Sequence, residues 1–233
     1  MIYIIGDLHL SFSVDKPMDI FGGNWENHTE KLKQNWLNKV NNDDTVILPG
    51  DFSWAMDLEE AKKDFEFLSS LPGKKILLKG NHDYWWNTVS KMNKFLKENN
   101  FENIEFLYNN SYCIENKVIV GTKGWTTLQP NSDDDYKILK RECQRLEISI
   151  KDGINKLGND KEMIAIMHYP PFYKEEVNEE IDFIKLMKKY GIKKCYYGHL
   201  HGDSHKDALE GLIDGIEFKL ISSDYLDFNL IEI

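Results

Sequence analysis

The chain has 233 residues, 41% of them apolar, with a formal net charge of −10. That length supplies one sizeable core, so one domain over residues 1–233 is expected, and 41% apolar content excludes a disordered or fibrous chain. The acidic balance argues against a general grip on a phosphate backbone, so no long nucleic acid is expected as a partner, while a local basic or metal-rich site remains compatible with it.

In chain order, Met1-Ile-Tyr-Ile-Ile-Gly has no basic leader and enters a strand over residues 2–5 at once. Gly6-Asp7-Leu8-His9 follows that strand. Residues 10–26 hold Pro17, Gly22, Gly23, Phe12, Phe21 and Trp25 and read as a long irregular loop, a candidate lid. Residues 27–40 carry Leu32, Trp36, Leu37 and Val40 at helical spacing, with His28 expected on an exposed first turn. Thr45 to Pro49 reads as a buried strand and runs into Gly50-Asp51-Phe52-Ser53-Trp54. Residues 57–70 read as a helix with Asp57 as N-cap, stopped by Pro72-Gly73. A strand over residues 75–79 ends at Gly80-Asn81-His82-Asp83, and residues 84–99 read as a helix.

Residues 104–107, 112–115 and 117–121 read as short strands in antiparallel hairpins added to a parallel core. Residues 133–157 read as one long helix, with Tyr136, Leu139, Cys143, Leu146, Ile150, Ile154 and Leu157 near one stripe and Gly158-Asn159 as its stop. A strand at 162–167 ends in His168-Tyr169-Pro170-Pro171. A helix at 178–190 and a strand at 194–197 lead to Gly198-His199-Leu200-His201-Gly202. Strands at 216–222 and 229–233 close the chain, and the alternation of strands and helices argues α/β. The cysteines Cys113, Cys143 and Cys195 form no CxxC and read as reduced thiols. No apolar run approaches the roughly 18 residues of a membrane span, so the reading is a cytoplasmic protein with no membrane partner.

Five strands thus end in metal-ligand types: Asp7 and His9, Asp51, Asn81 with His82, His168, and His199 with His201. Five of the seven histidines sit at this position, and only His28 and His205 do not. Sites in α/β sheets form outside the carboxyl ends of strands. The i, i+2 spacing of Asp7-x-His9 and His199-x-His201 puts both side chains of an extended segment on one face. Oxygen and imidazole donors without thiolate suit divalent Mn²⁺, Fe²⁺ or Zn²⁺, and the donors outnumber the needs of one ion, which argues for two.

These five blocks, in this order, resemble the calcineurin-like metallophosphoesterases, whose pattern is Asp-x-His, Gly-Asp, Gly-Asn-His-(Asp/Glu), a lone His, and Gly-His-x-His. The resemblance runs from residue 6 to residue 201. It implies a four-layer α/β/β/α sandwich of two mixed β-sheets flanked by helices. It also implies that Asp7, His9, Asp51 and His201 hold one metal ion, and that Asn81, His168 and His199 hold the other, with Asp51 bridging. By the same resemblance, a metal-bridging hydroxide is the nucleophile, His82 faces the leaving oxygen, and Asp83 orients His82. The block Gly50-Asp51-Phe52-Ser53-Trp54 lacks the Asp-Arg-Gly run of the protein serine/threonine phosphatases. The chain is therefore more similar to the small bacterial phosphohydrolases of the superfamily.

The activity this implies is two-metal hydrolysis of a phosphomonoester or phosphodiester of a small molecule or nucleotide. The alternatives are a nuclease-type phosphodiesterase and a non-catalytic metal-binding scaffold. Arg141 and Arg145, the only arginines, lie one helical turn apart and are candidates for phosphate binding against the bland reading of a face paired with Glu142 or Glu147. Among the aromatics near the motifs, Trp54 and Trp125 are expected beside the site, and His205 is a further candidate substrate contact.

Overall fold

The computed structural model describes residues 1–126, 132–156, 161–174 and 181–233. Gln129-Pro130-Asn131, whose composition reads as a loop, the helix end at Leu157 with its stop at Gly158-Asn159, and the helix start at 178–180 lie outside the described residues. The chain divides into two compact units, Met1–Phe106 with Ser222–Ile233, and Leu107–Ile221. Each holds one mixed β-sheet with its own helices.

In the first unit β1 (Ile2–Ile4), β2 (Thr45–Pro49), β3 (Lys74–Leu78), β4 (Ile104–Phe106) and β11 (Ile231–Glu232) form a sheet in the order β11-β1-β2-β3-β4. β1 to β4 are parallel and β11 is the antiparallel edge. β4 was expected in a hairpin. It instead pairs in parallel with β3, because α3 (Val89–Glu98) supplies the crossover that a parallel neighbour requires. α1 (His28–Lys39), α2 (Lys62–Ser70) and α3 bury Leu32, Trp36, Phe65, Leu68, Met92 and Phe95 in the core of this unit.

Helix starts differ from the sequence reading. Residues 84–85 form a turn and 86–88 are irregular, and α3 begins only after Thr88, whose side chain accepts from Lys91 N at 3.4 Å. Asp57 caps a turn through Glu60 N at 3.0 Å, and α2 begins at Lys62. His28 is buried among Trp25 and Phe228 (ring centroids 5.4 and 5.6 Å) instead of lying exposed, and burial lowers its pKa. The helix it opens turns that first residue inward because the loop 10–26 folds over it.

In the second unit β5 (Ser111–Ile114), β6 (Lys117–Thr122), β7 (Glu162–Met167), β8 (Lys194–Tyr197), β9 (Gly211–Ile213) and β10 (Ile216–Leu220) pair in the order β5-β6-β7-β8-β10-β9. The centre is parallel and both edges are antiparallel hairpins. The β9–β10 hairpin was not anticipated, although Asp214-Gly215, both at positive φ, is a hairpin turn signal. α4 (Asp133–Ile154) and α5 (Asp182–Lys189) bury Leu146, Ile150, Phe183 and Met187 against this sheet. No helix among the described residues is long and apolar enough to cross a membrane.

The buried face of α4 is more polar than its apolar stripe suggested. Glu142, Ser149 and Gly153 are buried, while Tyr136 and Ile154 are exposed. Glu142 Oε2 accepts from Thr122 Oγ1 at 2.7 Å, and Ser149 Oγ accepts from Gly121 N at 2.9 Å. A Cβ on Gly153 would meet Val120 Cγ1 at 2.9 Å, so the helix lies too close to β6 there for any larger residue.

One buried cation sits in the first core. Lys75 on β3 is fully buried, its Nζ donates to the carbonyl of Leu71, and the Trp36 ring lies 6.0 Å away. Burial pulls its pKa from 10.5 down to about 8. Between those two values the unfolded chain binds more protons than the folded one, so this residue's contribution to stability rises with pH across the window. Lys75→Met is therefore expected to stabilise the protein at pH 7 by up to about 3 kcal/mol, an advantage that closes as the pH approaches 10.5. Urea unfolding of both proteins at pH 7 and pH 10 checks this; an equal gap at the two values is the contrary result.

Candidate functional site

In the first unit the ladder bonding of the parallel strands continues past their ends. Asp7 N donates to Gly50 O, His9 N to Asp51 O and Leu10 N to Phe52 O, each at 3.0 Å. Ser223 N donates to Gly6 O at 3.1 Å and Ser223 Oγ to Asp7 O at 2.6 Å. The blocks after β1 and β2 and the segment after β10 thus run side by side as one backbone platform. Asp7, His9 and Asp51 all lie on it at positive φ (58°, 47° and 49°). That left-handed region costs a non-glycine residue about 1 kcal/mol or more, and it is tolerated where the surroundings hold it.

The third block is locked to the second. Asp83 Oδ2 accepts from Gly80 N at 2.7 Å and Asp51 N at 2.9 Å. Its Oδ1 accepts from Phe52 N at 2.9 Å, Trp85 Nε1 at 3.0 Å and Ser53 N at 3.3 Å. Burial raises the Asp83 pKa to about 6, and the donors pull it the other way. All five neighbours point hydrogens at the carboxyl group, so the geometry serves the charged form. In return Asp51 Oδ1 accepts from His82 N at 2.8 Å. Gly80 leaves no room for a side chain, since a Cβ there would fall 2.1 Å from Asp51 Oδ1.

Around His82 the imidazole packs on Trp54 (4.4 Å between centroids), with His9 at 5.9 Å and Tyr84 at 6.1 Å. Trp54 also stacks on His9 at 4.9 Å, and His9 Nε2 lies 3.8 Å from Asp51 Oδ2. Trp54 is therefore beside His9 and His82, as its position after β2 suggested. Asp83 has a different place from the one expected of it. Its oxygens are taken up by backbone and indole N–H groups, with none left on the His82 ring.

In the second unit the same device recurs. His168 N and Tyr169 N donate to Lys123 O at 3.2 and 2.9 Å, and Gly198 N donates to His168 O at 3.0 Å. The residues after β6, β7 and β8 thus line up in one row. The His168 and His199 rings meet edge-on at 5.1 Å, and His199 stands at φ 74°. Trp125 lies 5.4 Å from Tyr169, and Tyr169 lies 4.1 Å from His199. His201 caps the start of a 3₁₀ turn over Gly202–Asp207 and His205 lies within it; both are half-buried.

The arginines stand elsewhere. Arg145 donates to buried Glu142 at 2.5 Å and to the Tyr108 hydroxyl at 2.8 Å, while Arg141, 55% exposed, lies 3.7 Å from the same Glu142. Two acidic residues escaped the sequence reading. Asp224 is buried and is a candidate metal donor. The same strand-end rule, applied to Ser222-Ser223-Asp224 after β10, would have found it. Asp64 on α2 is fully buried, accepts from the Ser53 hydroxyl and from Phe12 N at 2.9 Å, and pins the start of the loop 10–26. No local motif marks it.

The donors fit a hard or borderline divalent ion. Asp7, His9 and Asp51 in the first unit, and His168, His199 and His201 in the second, are oxygen or imidazole donors able to hold a metal, and none is a thiolate.

Comparison with known proteins gives a family and a fold. The profile of the calcineurin-like phosphoesterases matches residues 1–203. No curated protein matches the chain. Among solved structures, a protein of unknown function from Aquifex aeolicus is 17% identical, with 99% of this chain and 94% of that one covered and a TM-score of 0.50. A phosphopantetheinyl hydrolase from Mycobacterium tuberculosis is 14% identical, with 99% and 95% covered and a TM-score of 0.53. A protein from Thermus thermophilus is 12% identical, with 99% and 96% covered and a TM-score of 0.56. At these identities the likeness is one of fold.

The Asp83 geometry separates a structural carboxylate from a chemical imidazole. Asp83→Asn halves the acceptors facing five donors and is expected to cost about 3 kcal/mol or more of stability. His82→Ala, at a half-buried ring, is expected to cost about 1 kcal/mol or less. Urea midpoints of the two variants check the order; equal losses would place His82 in the same scaffold.

Proposed function

The chain belongs to the calcineurin-like phosphoesterase family, and from that premise we propose that it hydrolyses a phosphomonoester or phosphodiester of a small molecule or nucleotide with the aid of two divalent ions. The observation that carries this reading is the backbone at the ligand-type residues. Asp7, His9, Asp51 and His199 all occupy the left-handed region, in the short blocks that follow β1, β2 and β8. Asp and His tolerate that region better than most residues, but four such residues after three strand ends are a cost that packing alone does not call for.

In this reading Asp7, His9, Asp51 and His201 hold one ion, and Asn81, His168 and His199 the other, with Asp51 shared. The assignment follows the family's motif order. Bound ions of this kind make water a nucleophile at neutral pH and neutralise phosphoryl oxygens. The chain's own contribution is then positional and protonic. Asp51 fixes the His82 backbone, and Trp54 and Tyr84 bracket the His82 ring. So held, His82 gives a proton or a partial positive charge to the departing oxygen. Asp83 acts on this only through the loops it ties together. The substrate is small, because the net charge of −10 disfavours a long polyanion.

The test is a hydrolysis assay of the Mn²⁺-reconstituted protein with p-nitrophenyl phosphate and bis-p-nitrophenyl phosphate, beside a calorimetric metal titration. Two ions per chain are expected. Asp51→Asn is expected to abolish turnover, and His82→Ala to lower kcat by roughly 10²–10⁴. Two ions bound with no turnover of either ester would overturn the hydrolase reading in favour of a scaffold.

A further inference from the structure

The large apolar side chains that the first unit leaves in solvent are gathered at one edge of its sheet. Eight are exposed, and six of them, Phe12, Ile20, Phe21, Met56, Tyr84 and Tyr225, stand in the segments that follow β1, β2, β3 and β10. The other two are Met1 at the start of the chain and Leu37 on α1. β1, β2 and β3 are parallel, so their carboxyl ends lie together, and the Gly6–Ser222 bridge brings the segment after β10 beside them. Single exposed hydrophobics need no explanation, whereas a set collected in one place marks a binding surface. The same edge carries Asp7, His9, Asp51 and His82.

Ile20 and Phe21 are the most exposed of the set, at 75% and 67%. They close a 3₁₀ turn over Met18–Phe21, at the tip of the loop 10–26. That loop is anchored on either side of the tip. Met18 is buried and its Sδ accepts from Trp54 Nε1 at 3.3 Å, while Trp54 packs on both His9 and His82. On the other side Asn24 Nδ2 donates to Asp224 O at 2.9 Å, and buried Trp25 meets His9 edge-on at 5.7 Å. Two or three residues span at most about 7–11 Å, so Ile20 and Phe21 stay within that reach of Met18. Between the anchors Gly22 and Gly23 stand at positive φ (61° and 57°), and a Cβ on either would meet nothing within 4 Å. Backbone freedom sets this bend, so the tip has room to adjust over a bound molecule. Met56 stands two residues after Trp54, and Tyr84 two after His82 with its ring 6.1 Å from the imidazole.

We infer that Ile20, Phe21, Met56 and Tyr84 are specificity residues that bind the organic arm of the substrate, and that this arm is apolar and uncharged. The substrate class is then a phosphoester of an aliphatic or aromatic alcohol. An arm leaving from an oxygen at His82 passes Trp54 and Tyr84 first and reaches the loop tip next. A charged arm would find no counter-charge among these four side chains, whereas an apolar one takes their surface out of water together with its own. This rests on the phosphoesterase reading, since the arm is placed relative to the leaving oxygen at His82.

The full chain loaded with Mn²⁺ is titrated by calorimetry with methylphosphonate and n-hexylphosphonate, whose carbon–phosphorus bonds resist hydrolysis and whose charges match. A buried methylene is worth roughly fourfold in affinity, so burial of about half the added chain gives the wild type a preference of about thirtyfold for hexylphosphonate. Ile20→Ser/Phe21→Ser is expected to reduce that ratio to about threefold or less, and Ile20→Leu/Phe21→Leu to keep most of it. Leu37→Ser, an equally exposed site on α1, is expected to leave the ratio unchanged. A wild-type ratio near one, failure to bind either phosphonate, an undiminished ratio in Ile20→Ser/Phe21→Ser, or an equal fall in Leu37→Ser would overturn the proposal. Hydrolysis of p-nitrophenyl phosphate by the same wild-type preparation is read separately. Turnover beside a ratio near one would sink the apolar arm alone, and no turnover beside an intact ratio would sink the hydrolase reading alone.

Discussion

The carboxylate of Asp83 is the constraint on which the first unit's strand-end blocks depend. It is fully buried, and an isolated ion there would cost several kcal/mol of lost hydration. Five N–H groups offset that cost, each worth on the order of 1.5–3 kcal/mol to a charged acceptor. Three of them, from Asp51, Phe52 and Ser53, are successive backbone amides of a loop about thirty positions earlier in the chain. No regular secondary structure satisfies such amides, so without the anion the loop after β2 would carry three buried orphans. With it, the block after β2 and the block after β3 become one piece. The tight approach at Gly80 and the positive φ of Asp51 are consequences of that closure.

What was legible in the sequence follows from the range of the forces involved. β2 and β7 stand at the residues their apolar runs marked, because burial on both faces leaves a continuous hydrophobic signal bounded by glycine or a polar block. The blocks after them were legible for the same reason: a strand's end is a local fact. The role of Asp83 was not, because its partners are backbone groups, and every residue type has those. The starts of α2 and α3 were misplaced for a related reason. Residues 84–86, Tyr-Trp-Trp, do not forbid a helix, but Tyr84 N is held by His82 O and Trp86 N by Asp83 O in a turn, and Trp85 is drawn inward by Phe52, Phe65 and the Asp83 carboxylate. Tertiary contacts outweigh propensities of a few tenths of a kcal/mol per residue.

α4 shows the opposite error, in which the periodicity was sound but the chemistry of the face was not. Counting apolar residues finds Leu146 and Ile150, yet the line of closest approach to β6 is drawn by Gly153, Ser149 and Glu142. Each is buried with a stated reason: Gly153 because nothing larger fits, Ser149 because Gly121 N needs an acceptor, and Glu142 because Thr122 and Arg145 share its two oxygens. A buried ion pair of this sort adds little net stability over apolar packing, but removing one member strands the other. Arg145 is therefore read more economically as the partner Glu142 requires, which is why being one of two arginines was a poor guide to its use.

Four of the six buried aspartates of the first unit can be sorted by what their backbones and oxygens do. Asp64 and Asp83 stand at ordinary φ and receive hydrogen bonds on both oxygens from groups that would otherwise be orphaned. They lower the energy of the fold directly. Asp7 and Asp51 stand at positive φ directly after strands, so their backbones raise its energy, and Asp51 Oδ2 faces an imidazole nitrogen at 3.8 Å, too long for a hydrogen bond. A carboxylate held in a costly conformation just after a strand is poorly accounted for by packing. It is well accounted for by a divalent ion between such groups, whose binding free energy would return the conformational cost as stability of the folded state. Sorting buried carboxylates in this way separates the residues that build the platform from those the platform was built to present.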